Sequence, residues 1–171
     1  MSIISKIKTT LWFISRPRYW VQYLELAKRK INQGYNKQIQ SNLAISWAEK
    51  NALDYAEAWE ALGMKGDIIG LDKSLLEEAK KLAAKYDGSM GGPGHIDFIY
   101  NAVRILNAKH VVETGVAYGW SSLAILAGFL ENNDCQLCSV DMSYPKRNND
   151  NFVGIVVPER YHKNWKIIDR P

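Results

Sequence analysis

The sequence predicts an α/β fold in which a helical N-terminal region precedes a parallel sheet of about three strands. Two observations carry this. Apolar residues recur at helical spacing through the first half of the chain. The second half then runs strand, glycine turn, helix, strand across HVVETGVAYGWSSLAILAGFLENNDCQLCSVDMSYP. A strand, a helix and a second strand at that length make a parallel crossover unit.

The helical region spans 1–87 in this reading. Ile3, Ile4, Ile7, Leu11 and Ile14 share one face of a helix over 3–15, with Lys6 and Lys8 interleaved and Trp12 and Phe13 widening the apolar side. Two readings of residues 3–20 stay open. The helix packs on protein, or it lies on an anionic membrane, with Arg16 and Arg18 adding attraction. Pro17 interrupts the pattern. A second helix is expected from Tyr19 to Ile31, a third from Ser41 to Leu62, and a fourth from Leu71 to Tyr86.

A second region, 88–171, begins at the glycine-rich loop GSMGGPGH. A short helix over Ile96–Asn107 leads to a strand centred on Val111 and Val112 and closed by Glu113. Gly115 and Gly119 bracket a tight turn, and Ser121 or Ser122 is placed to satisfy free amides at the start of the next helix. A second strand, Leu137–Val140, ends at Asp141, and Trp165–Ile168 reads as a third. In parallel sheets ligands bind beyond the carboxyl ends of the strands, where Glu113, the turn and Asp141 all fall. A carboxylate there can accept two hydrogen bonds from a ribose diol, and a second can face an ammonium group. A bare phosphate would be repelled by both.

ETGVAYG followed by SVD resembles the first motif and the acidic strand end of class I S-adenosylmethionine-dependent methyltransferases. Glu113, Gly115 and Gly119 match the pattern acidic-x-Gly-x-Gly-x-Gly, and Ala117 replaces its middle glycine. The likeness is to a bacterial branch of stand-alone small-molecule methyltransferases and covers about Gly91 to Pro171. It implies a Rossmann-like fold, S-adenosylmethionine as cofactor, and a small-molecule or sugar-like acceptor. It further implies that Glu113 faces the methionine portion, that Gly115, Ala117, Tyr118, Gly119 and Ser121 line the turn, that Asp141 holds the ribose and that Met142 packs near the adenine. That family's sheet has seven strands, so the resemblance also implies a domain truncated at its C-terminus. Its first strand would lie at a bare edge, to be covered by self-association, a second chain or the helical region.

Other readings remain beside this one. The chain is a cofactor-binding or interaction module that is catalytically incomplete, or it is another Rossmann-type enzyme. A dinucleotide fingerprint, G-x-G-x-x-G, is not matched by Gly115-Val116-Ala117-Tyr118-Gly119. His95 is a weak candidate for a catalytic base, with His162 a second guess. Tyr118 and Trp120 border the pocket or fill the core. Cys135 and Cys138 are the only cysteines, and positions i and i+3 of a strand point to opposite faces, so no metal or redox site is expected. Net charge is +4 without a dense basic stripe, which argues against a nucleic-acid partner. No continuous apolar leader or span is read, which points to the cytoplasm, with peripheral membrane contact through residues 3–20.

Overall fold

The computed structural model describes residues 3–31, 37–86, 90–130, 134–141 and 150–169. It divides into two units, Met1–Met64 and Lys65–Pro171.

The first unit is helical. Helix α1 (Ile3–Ile14) and helix α2 (Trp20–Ile31) are joined by a 3-10 turn at Pro17–Tyr19. Proline opens that turn because its fixed φ suits a first helical position. Tyr19 is fully buried, its ring stacked on Trp12 at 5.3 Å, and Phe13 meets Tyr23 at 5.4 Å. The helix expected over Ser41–Leu62 is two helices, α3 (Lys37–Asn51) and α4 (Tyr55–Ala61). The break has a local cause. Asp54 caps α4, its Oδ1 accepting the Glu57 N–H at 2.8 Å while Glu57 Oε2 accepts the Asp54 N–H at 2.9 Å. Such a reciprocal box starts a new helix even where the apolar pattern continues.

The second unit holds the sheet. Helices α5 (Lys73–Ala83) and α6 (Ile96–Ile105) precede β1 (His110–Thr114), α7 (Trp120–Gly128), β2 (Gln136–Asp141) and β3 (Trp165–Asp169). The strands are all parallel, in the order β1-β2-β3. The fold is therefore the expected Rossmann-like α/β arrangement, with β1 at an edge among the described residues. The described part of the β2–β3 connection holds 3-10 turns, Asp150–Phe152 and Glu159–Asn164.

Residues 65–86 pack with the sheet, and the second unit begins at Lys65, whereas the composition changes at 87/88. Asn101 explains why. Fully buried on α6, its amide donates to Ile69 O at 2.7 Å and its Oδ1 accepts the Ile69 N–H at 3.1 Å. Asp97 takes the Leu71 N–H at 2.8 Å. Leu71, Leu75 and Ala79 then join Leu123, Leu126 and Leu137 in one core. Helices α6 and α7 approach closely because Gly128 has no Cβ; one built there would lie 2.9 Å from Val103. Strand alternation puts Leu137, Ser139 and Glu113 on the buried face, whereas Val112 on the other face is 74% exposed.

Candidate functional site

The turn between β1 and α7 is strained where the sequence predicted glycine. Gly115, Ala117 and Gly119 all have positive φ, at 81°, 50° and 90°. Ala117 thus holds a left-handed conformation with a Cβ, a cost that glycine avoids. Three backbone hydrogen bonds tie the loop to its neighbours. Gly115 N–H donates to Val140 O at 2.8 Å, Gly154 N–H to Ala117 O at 2.8 Å, and Val156 N–H to Tyr118 O at 3.1 Å. The turn is therefore clamped between the end of β2 and the segment leading to β3. That clamp demands glycine on both sides: a Cβ on Gly119 would sit 3.0 Å from Gly154 Cα, and one on Gly154 would sit 2.4 Å from Trp165. A Cβ on Gly115 would meet nothing within 4 Å. Its backbone faces open space.

Asp141 ends β2 beside this turn, and its Oδ2 accepts the Ala117 N–H at 3.2 Å. The strand-end carboxylate and the glycine turn thus meet at the sheet's carboxyl edge. Met142 lies outside the described residues.

Glu113 is held within a network of serine hydroxyls. Only 7% exposed, its carboxylate accepts hydroxyl hydrogen bonds from Ser121 at 2.5 Å, from Ser122 at 2.6 Å and from Ser139 at 2.6 Å. Trp165 Nε1–H donates in turn to Ser139 Oγ at 2.8 Å. Strand β1, helix α7, strand β2 and strand β3 are tied through one carboxylate. Ser121 and Ser122 serve this acid, where helix capping was expected of them. Burying the charge is tolerated because charge-assisted hydrogen bonds replace the lost water.

Tyr118 and Trp120 are core residues, 5% and 8% exposed, with Tyr118 packed edge-on against Tyr86 at 6.2 Å. Tyr118 therefore contributes its backbone to the turn while its ring fills the interior. The Trp120 indole N–H is buried without a hydrogen-bond partner among the described residues. His95 is exposed and occupies the N-cap position of α6 without a side-chain cap. His162 lies elsewhere, on a cleft beside β3 that Glu78, Val157, Trp165 and Ile167 also line. Its Nε2 is 3.2 Å from Val157 O. Arg160 pairs with Glu78 at 3.0 Å, and that carboxylate raises the guanidinium pKa. Cys135 and Cys138 are both free thiols. Among the described residues no group of acids, histidines and cysteines is arranged to hold a metal ion.

Sequence reasoning missed Ser139, Gly154 and Trp165. Nothing in their local sequence marks them, because their roles depend on strand register and on the return of the chain past the turn.

The second unit is a Rossmann-like α/β structure with a left-handed turn and an acid at its carboxyl edge. No protein-family model matches the chain, and no curated protein matches it. Solved structures similar to it include the SAH-bound methyltransferase PaMTH1 of Podospora anserina, with 15% identity and a TM-score of 0.46 over 80% of this chain and 50% of that one. A candidate O-methyltransferase from Klebsiella pneumoniae is similar at 19% identity and a TM-score of 0.38, over 61% of this chain and 46% of that one. The chain spans about half the length of each. Among the described residues no helix is long and apolar enough to cross a membrane.

Proposed function

We propose that this chain carries the cofactor half of an S-adenosylmethionine-dependent methyltransferase acting on a small-molecule or sugar-like acceptor. The observation that carries the reading is the junction of Ala117 and Asp141. A turn left-handed at Gly115, Ala117 and Gly119 meets a strand-end carboxylate at the sheet's carboxyl edge. The residues fit such a cofactor. The open space over Gly115 lets a ligand approach the backbone, and Asp141, at the end of β2 beside the turn, carries a carboxylate of the kind that accepts a ribose diol.

When bound, the sulfonium supplies an electrophilic methyl group. The protein's part is placement, worth up to about 7–11 kcal/mol in favourable cases. Asp141 would hold the sugar, and the turn at Gly115 would lie against the cofactor. Glu113 acts from behind, holding Ser121 and the first turn of α7 in place.

The exposure of Val112 on an edge strand favours a second reading. In it the chain binds the cofactor but completes its acceptor site only with a partner. Thermal denaturation with S-adenosylhomocysteine or NAD added separates the classes. A rise in Tm with the first alone supports the methyl-donor reading. A rise with NAD alone assigns the turn to another Rossmann-type enzyme. Methyl release to an acceptor from the chain on its own then decides between the two methyl-donor readings.

A further inference from the structure

Helix α1 leaves an apolar stripe in solvent. Ile4, Ile7, Leu11 and Ile14, spaced three, four and three residues apart, share one face, and each is more than half exposed. Phe13, on the other side of the helix, is buried and packs against Tyr23. The stripe therefore lies largely in solvent. Trp20, Val21 and Leu24 on α2 are exposed as well.

The charge around the stripe says what it fits. The first acidic residue of the chain is Glu25, whereas Lys6, Lys8, Arg16 and Arg18 precede it. Lys8 follows Ile7 along the helix and is exposed. Arg16 and Arg18 close the helix end, their guanidinium groups lying 4.4 Å over the Trp12 ring and 4.7 Å over the Tyr19 ring. An apolar stripe in a segment that carries cations and has no acidic residue before Glu25 complements a surface that is negative outside and apolar beneath. A second copy would instead bring like charges together.

We infer that α1 docks this unit on an anionic phospholipid surface, with Ile4, Ile7, Leu11 and Ile14 entering the acyl boundary and Lys8, Arg16 and Arg18 meeting the headgroups. The test is flotation of the full chain with vesicles of phosphatidylcholine alone or mixed equally with phosphatidylglycerol. Binding to the mixed vesicles is expected to be at least about tenfold tighter and to weaken with salt. Leu11→Asp, at an exposed position that leaves the helix content unchanged by circular dichroism, abolishes it. Lys8→Glu with Arg18→Glu weakens it at least about tenfold. Lys109→Glu with Lys166→Glu, the same charge change in the other unit, leaves it intact. Equal binding to both vesicles, no binding, or equal loss in the two charge-reversal pairs overturns the inference. So does a chain whose dimer Leu11→Asp dissociates while vesicle binding persists, since the stripe then serves a second copy.

Discussion

Glu113 and Ser139 are partners in the parallel register of β1 and β2, and the serine hydroxyl donates to the buried carboxylate at 2.6 Å. With Ser121 and Ser122 donating from α7, one acid holds the first crossover unit closed. Removing it strands hydroxyls in the interior. Glu113→Ala is expected to cost at least ~3 kcal/mol, and Glu113→Gln less, because the amide carbonyl still accepts. Urea unfolding measures both. A Glu113→Ala chain with the wild-type midpoint would show that the network carries no stability.

The turn glycines differ in kind, and alanine separates them. Gly154→Ala would force a Cβ against Trp165, and Gly119→Ala would force one against Gly154, each at positive φ. Both are expected to lose about 3 kcal/mol or more. Gly115→Ala pays for backbone conformation alone, about 1 kcal/mol, because its space is open. Ala117→Gly runs the other way, relieving a left-handed alanine and gaining roughly 0.5–1 kcal/mol. Thermal unfolding of the four variants should give that order.

Acid weakens the start of α5. The carboxylate of Asp72 accepts from the Ser74 hydroxyl and from the Leu75 N–H, and these hold its pKa below the ordinary carboxylate value. A group whose folded pKa is lowered contributes stability above its unfolded pKa and loses it as pH falls through the folded pKa. Asp72→Asn keeps a cap that does not titrate. Wild type should therefore lose more stability than Asp72→Asn on acidification through the carboxylate range. Parallel curves from urea titrations at several pH values would refute the role of the cap.

Much of this architecture was legible in the sequence, for identifiable reasons. Val111 and Val112, the glycine turn and Asp141 declare a parallel crossover locally, and the strands fall within a residue or two of their expected positions. The break before α4 was hidden because Asp54 and Glu57 lie inside a continuing apolar pattern. The allegiance of residues 65–86 was hidden because it rests on Asn101, thirty-two residues from its partner Ile69. The role of Glu113 could not be read from its motif. Which way its carboxylate turns depends on Ser139, brought alongside only by strand register.

The methyl-donor reading rests on Asp141 and the turn, so calorimetric titration with S-adenosylhomocysteine tests it most directly. Wild type should bind with one-site stoichiometry. Asp141→Ala should bind at least about tenfold more weakly, the loss of a charged hydrogen bond to the ribose, while Asp141→Asn keeps part of the affinity. A folded wild-type chain that takes up no S-adenosylhomocysteine, or an Asp141→Ala chain that binds it equally well, would contradict the account.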